Sequence, residues 1–553
     1  MKIAVIGTSN SIRGQGYFPL YQALEYPNIV ENFSIGGSIC QLIPFQIEKY
    51  DIFNNYDFLI TDCSVNDNDY LIQKVRTPDW LYNELYTIMS TIKEAPIKHL
   101  HLIFPYDAPD NTYRKIHIQV CEELEIPYFD ILDIIQSTPL HPDHKLFFDA
   151  QHINNYYAKL ISYLIYKVKN LIFNDNSPKN LTKIYKNKIY ININLINENN
   201  QKFPIKIKGS TLKTEKFVSL KKDDMIIINN LPSLNLESLF FYTNVEANYY
   251  HLISESAICN YNLQYCEGNY FYFRPIATNH FPIKKFLKLQ VGLSKQCQTI
   301  IYEFGIKPHT NIEPELLINS FQVSKELNPP LTWQEKNIPT KYSHQIDIYK
   351  RIFYFFNNID KITNSSPQLP NDFVFLTAIL YPHNTTIRKQ FLHIIKTTSN
   401  PYYLYYYAEL YLIPRKKYLI AIHLLEKAIN LYPVTSIITI LINLYIDKKQ
   451  FSKALKLINI HLFNNKVVYY RELCFLYAKI KNKEKFEIAA MQLLNLSHHS
   501  NILFFLAEHF IELNEKIKAK YILSILLKDP RNFQTQINVD KTNVLLNKIK
   551  KMC

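Results

Sequence analysis

Lys2-Ile3-Ala4-Val5-Ile6-Gly7-Thr8-Ser9-Asn10-Ser11 decides how the first third of this chain folds. Four apolar residues in a row, stopped by glycine and followed by small polar residues, read as a buried strand that turns sharply into a helix. Short apolar runs of the same kind return at residues 57–60, 99–104 (ended by Pro105) and 128–131. Amphipathic helical patterns occupy 80–92, 113–124 and 154–172. Strands alternating with helices of this length predict a parallel sheet covered by helices on both faces. In such a sheet the ligand crevice lies at the carboxyl ends of the strands. Residues 1–172 are therefore expected to form a three-layer α/β domain.

The rest of the chain changes character twice. From about 175 to 305, period-2 alternation such as Ile189, Ile191 and Ile193 against Tyr190, Asn192 and Asn194 predicts a β-rich module. A connection spaced by Pro308, Pro314, Pro329, Pro330 and Pro339 spans 306–341. From 342 to 553 the pattern is helical. Tyr405, Ala408, Leu412, Ala421, Leu425, Ala428 and Pro433 sit at offsets close to those of a tetratricopeptide unit, and alanines recur at 454, 489 and 519. A period near 34 with small residues at helix crossings predicts an α-helical repeat solenoid.

Composition narrows the function classes. Hydrophobic residues make up 47% of the 553 and charged residues 20%, which excludes a disordered chain. Five of only nine glycines fall in the first 37 residues, where backbone must bend or approach a ligand closely. The net charge of +14 is unevenly placed. Residues 1–172 hold 13 Lys+Arg against 20 Asp+Glu, so the remainder is strongly basic. That balance suits an anionic surface or glycan. No helix-turn-helix, zinc-finger or RNA-binding signature is present, so nucleic acid is not an expected partner. Eight scattered cysteines without a C-x-x-C pair fit reduced thiols of a cytoplasmic protein better than disulfides or a zinc site. No signal peptide or transmembrane segment is expected; association with a membrane would come through partners.

Four loops carry candidate chemistry. Gly7-Thr8-Ser9 follows the first strand, where a serine hydroxyl is presented on a sharp turn beside backbone N–H donors. Asn32-Phe33-Ser34-Ile35-Gly36-Gly37-Ser38 follows another strand-like run. Asp62-Cys63-Ser64-Val65-Asn66-Asp67 follows the third and offers the Asn66 amide. Asp149-Ala150-Gln151-His152 stands just before the last helix, with His152 placed to act as a base and Asp149 to hold its ring. His141, His144 and Asp143 lie nearby without a matching D-x-x-H before a helix.

In this order, Gly-x-Ser at 9, Gly-Gly at 37, Asn-Asp at 66–67 and Asp-x-x-His at 149–152, the first 172 residues resemble the SGNH (GDSL-like) hydrolases. The resemblance implies a flavodoxin-like sandwich and a serine esterase. It implies Ser9 as nucleophile, His152 as base, Asp149 as its support, and an oxyanion hole of the Ser9 and Gly37 N–H groups with the Asn66 amide. It implies no metal and no organic cofactor. The family's usual Asp after the first glycine is Thr8 here, and its usual Leu after the serine is Asn10, which leaves substrate preference open. The expected substrate is an ester, with an acylated carbohydrate or glycan as the expected class. The alternatives are an O-acyl transferase on a polysaccharide, or a non-catalytic scaffold that binds a protein partner of a polysaccharide-synthesis complex through the repeats.

Overall fold

The computed structural model describes residues 1–12, 16–36, 38–72, 76–107, 111–136, 145–149, 151–173, 188–192, 203–209, 214–221, 225–229, 234–242, 249–253, 258–262, 271–275, 282–283, 286–291, 315–324, 333–336, 369–497, 500–527 and 536–550. The chain divides into two compact units, Met1–Tyr190 with Phe273–Pro275 and Gln322–Lys416, and Ile191–Tyr272 with Ile276–Phe321 and Lys417–Cys553.

The first unit is built on β1 (Lys2–Ile6), β2 (Ile29–Asn32), β3 (Phe58–Asp62), β4 (Lys98–Ile103) and β5 (Tyr128–Asp130). Their spatial order is β2-β1-β3-β4-β5, and every pairing is parallel. The order reverses between β1 and β3, so the crevice of this doubly wound sheet opens there, beyond the carboxyl ends. Ile3 to Ile6 and Phe58 to Ile60 are fully buried, as apolar runs in a sheet covered on both faces must be.

The covering helices are α1 (Ser9–Ile12), α2 (Phe18–Glu25), α3 (Leu42–Lys49), α4 (Ile52–Asn55), α5 (Ser64–Ile72), α6 (Pro78–Glu94), α7 (Thr112–Glu123), α8 (Ile131–Gln136) and α9 (Asn155–Phe173). Helix α6 illustrates how sequence makes them. Thr77 caps it by accepting the Trp80 N–H at 3.2 Å, and Pro78 occupies the first turn. Leu81, Leu85, Ile88, Met89 and Ile92, at helical spacing, form its buried face. Helix α9 packs on α2, where the buried Lys169 ammonium meets Glu25. A short hairpin of β6 (Phe147–Asp149) and β7 (His152–Ile153) precedes α9.

Later segments complete this unit. Trp333 donates its N–H to Asp79 (2.6 Å) and its indole N–H to Gln119 (3.1 Å). The helix Asn371–Leu380 packs on α9: Phe373 meets Tyr163 edge-on, Lys167 pairs with Asp372, and the Tyr156 and Tyr381 hydroxyls lie 3.0 Å apart.

In the second unit, the antiparallel ladders 214–221 with 205–209, 225–229 with 286–291, and 249–253 with both 258–262 and 286–291 form the β-rich part. Helices Tyr418–Leu431, Thr435–Asp447, Phe451–Leu457, Lys466–Lys479, Lys483–Leu496, Ser500–Glu512 and Lys516–Leu527 follow in succession. Ala421, Ala454, Ala489 and Ala519 are all buried. Left-handed residues stand at Lys416, Lys449, Lys481 and Asn514, with φ of 58°, 58°, 57° and 60°, so they recur every 32 or 33 residues. At the last three, the next N–H reaches back five residues (Gln450 to Tyr445 O, 2.7 Å; Asn482 to Tyr477 O, 3.0 Å; Glu515 to Phe510 O, 2.8 Å). This is a Schellman closure, normally given to glycine. The proline-spaced connection lies outside the described residues, apart from 315–324 and 333–336.

Candidate active site

Asp62, the last residue of β3, organises the turn after β1. It is buried, and its carboxylate accepts the Thr8 N–H (2.9 Å), the Thr8 hydroxyl (3.1 Å), the Tyr17 hydroxyl (3.0 Å) and the Ser11 hydroxyl. Burial pushes its carboxyl up to about 6, although these donors pull the other way. A Cβ on Gly7 would lie 2.4 Å from the Asp62 Oδ2 and 2.3 Å from the Ser11 Oγ. Glycine is required at position 7 because the carboxylate of a neighbouring strand approaches its backbone that closely.

The turn is held from the β2 side as well. Ser34 Oγ accepts the Gly7 N–H at 2.7 Å, the Asn32 amide donates to Ser11 O at 2.9 Å, and Ile35 N–H donates to Gly7 O at 3.1 Å. The loop leading to Gly36 is thereby laid along the end of β1. Further on, Cys40 N–H donates to Asp67 Oδ1 (2.9 Å), tying this loop to α5. Asn66 sits buried in the first turn of α5.

The fourth loop folds on its own carboxylate. Asp149 Oδ1 accepts the N–H groups of Gln151 (3.0 Å) and His152 (2.9 Å). The His152 Nδ1 lies 2.7 and 2.8 Å from the two Asp149 oxygens. Burial pushes the Asp149 carboxyl up, but the His152 ring and the two backbone donors outweigh it and hold it below its ordinary value. An ionised carboxylate there makes Nδ1 the protonated ring nitrogen, which leaves the Nε2 lone pair facing away from Asp149.

Four side chains outside the predicted set, those of Asn10, Asp69, Tyr106 and Gln151, join these loops. The Asn10 amide donates to Gln151 O at 3.2 Å, so the residue after Ser9 is bonded to the residue before His152. Gln151 in turn donates to Asp69 Oδ2 of α5 at 2.7 Å, and the Tyr106 hydroxyl bonds both Asp69 and Gln151. Loops after β1, β3 and β4 thus meet the Asp149–His152 turn at the carboxyl edge of the sheet. Ser9 opens α1, which packs against β7. The Ser9 side chain, Gly37, and the rivals His141, Asp143 and His144 lie outside the described residues. Asn10→Ala is expected to weaken the domain by about 1 kcal/mol; denaturant titration of the purified variant checks it.

Beneath α5 runs a buried polar chain that no motif announces. Asp67 Oδ2 lies 3.1 Å from His117 Nε2, His117 Nδ1 lies 2.9 Å from His101 Nε2, His101 Nδ1 lies 2.7 Å from Thr61 Oγ1, and Thr61 Oγ1 lies 2.8 Å from His99 Nε2. The carboxylate end sets the direction. His117 donates from Nε2, so its Nδ1 accepts from His101; His101 then accepts from the Thr61 hydroxyl, which accepts from His99. Burial pushes the His101 pKa well below its ordinary value, and the neighbouring His117 and His99 add to this.

No protein-family model matches the chain, and no curated protein matches it. Among solved structures it is similar to a two-domain esterase active on acetylated mannans, with 13% identity and a TM-score of 0.40, over 59% of this chain and 92% of the other. It is also similar to an acetyl xylan esterase, with 16% identity and a TM-score of 0.26, over 30% of this chain and 99% of the other. An α/β-hydrolase enzyme from the metagenome of Lake Arreo, Spain, has 17% identity and a TM-score of 0.26, over 30% of this chain and 94% of the other.

Proposed function

We propose that the first unit is a serine esterase of the SGNH type acting on an acylated carbohydrate. The observation that carries the reading is the Asn10–Gln151 hydrogen bond. It sets the serine turn beside a histidine whose Nδ1 is already engaged by Asp149. Ser9 Oγ attacks the ester carbonyl while His152 Nε2 takes its proton. The imidazolium formed is stabilised by the Asp149 carboxylate. The Ser9 N–H, the Gly37 N–H and the Asn66 amide hold the oxyanion. His152 then returns the proton to the leaving alcohol oxygen, and an acyl-Ser9 ester remains. Water, activated by the same histidine, releases the acid and restores the serine.

An acceptor sugar hydroxyl in place of water makes the same residues an O-acyl transferase. The helical region, with its basic balance, would serve by bringing the domain to a partner or an anionic glycan. Acetate release from an acetylated oligosaccharide, measured with and without an unacetylated acceptor, separates the two reactions. In either case His152→Ala is expected to lower kcat by about 10³-fold or more. Equal turnover by wild type and His152→Ala would remove the enzyme reading.

A further inference from the structure

Cys63, His101 and His117 are buried together, and their ligand atoms all lie within 4.8 Å of one another. Cys63 follows β3, His101 is on β4 and His117 is on α7, so three rigid elements bring them together. We propose that these three side chains bind one zinc ion, which fastens the first turn of α5 to the sheet. The site lies outside the esterase chemistry, and the inference stands whether or not Ser9 is a nucleophile.

The donor set suits the ion. One thiolate and two imidazoles are a borderline-soft combination that favours Zn²⁺ over Ca²⁺ or Mg²⁺. The outer ring nitrogens are already committed. His117 Nε2 faces the Asp67 carboxylate and His101 Nδ1 faces the Thr61 hydroxyl, the kind of outer partners that fix the tautomer of a metal-bound histidine. The inner nitrogens, His117 Nδ1 and His101 Nε2, are left facing each other at 2.9 Å. Zinc–nitrogen bonds of about 2.0 Å and a zinc–sulfur bond of about 2.3 Å require donors roughly 3.4 Å apart. The rings must open slightly and the sulfur close in by on the order of an ångström.

Protons balance simply. Without metal, the His101 Nε2 proton bridges the two rings and Cys63 is a thiol, kept so by burial and by the nearby Asp67 carboxylate. On binding, His101 carries its proton on Nδ1 toward Thr61, the Thr61 hydroxyl turns to donate to His99 Nε2, and the His99 proton sits on Nδ1. The thiol proton leaves, so one proton is released per ion bound. The consequence for the fold is local: Asp67 orients His117 and also holds Cys40 N–H, so the ion would stiffen the helix carrying Asn66.

The test uses the full chain, produced with zinc in the medium and purified without chelator. Elemental analysis is expected to find about one zinc per chain in the wild type and in Cys474→Ser, whose buried thiol lies on the helix Lys466–Lys479, and under a fifth of that in Cys63→Ser and His117→Gln. Wild-type protein refolded with cobalt(II) alone is expected to show a thiolate-to-cobalt charge-transfer band in the near ultraviolet. Wild type lacking stoichiometric zinc, zinc that survives Cys63→Ser, or a cobalt protein without the charge-transfer band each overturns the proposal. The cobalt spectrum of the wild type decides the matter even where the variants fail to fold.

Discussion

On the proposed mechanism, Ser9→Ala is expected to lower kcat/KM on acetyl esters by about 10⁴- to 10⁶-fold and to leave thermal unfolding within a degree or two of wild type. The effect is expected to be large because in the proposed mechanism Ser9 forms the acyl-enzyme; water bound near His152 would give only the residual rate that an oxyanion hole and binding provide. The fold should not notice the change. The bonds that secure the turn come from Gly7, Thr8, Asn10 and Ser11. Rates measured on a chromogenic acetate, beside a circular-dichroism melt of the same preparation, read both halves. A variant that keeps a tenth or more of wild-type activity places the nucleophile elsewhere.

Asp62→Ala is expected to be the most damaging single change to stability in the first unit, by about 3–5 kcal/mol. Four donors converge on this carboxylate: the Thr8 N–H and the hydroxyls of Thr8, Ser11 and Tyr17. Alanine removes the acceptor of both Thr8 donors, and the Ser11 and Tyr17 hydroxyls, 2.9 Å apart, can satisfy only one of their two protons between them; each orphaned group carries a desolvation penalty. The first thermal transition should fall by on the order of 10 °C, and activity should fall with it because the turn bearing Ser9 loses its anchor. Asp62→Asn keeps one acceptor oxygen in the same volume and should fall between the two. An alanine variant that melts with wild type would show that Asp62 does not hold the turn.

The sheet was legible because its strands are short apolar runs at intervals filled by helical patterns, and burial on both faces demands that composition. The four loops were legible as well, because each follows a strand or precedes a helix at the sheet's carboxyl edge. What joined them was not. Asn10 stood out only as a departure from a resembled pattern, and its use as a bridge depends on Gln151, 141 positions away, which no local pattern marks. Asp62 carried one visible signal, a charge at the end of the otherwise apolar run Phe58-Leu59-Ile60. The Asp67–His117–His101–Thr61–His99 chain was hidden because its members come from β3, β4, α5 and α7 with no metal-ligand spacing among them. Helix closures at Lys449 and Lys481 escaped notice for a different reason. Lysine stands where a left-handed turn ordinarily selects glycine or asparagine, and only the backbone reveals it.

Covalent capture of the nucleophile is the most direct measurement. The native chain is treated with a fluorophosphonate, then digested, and the modified peptide is sequenced by mass spectrometry. One phosphonyl group on Ser9 is expected, lost when the protein is denatured before treatment and strongly slowed in His152→Ala. Modification of a different serine, or none on native protein while a control serine hydrolase is labelled in the same tube, contradicts it.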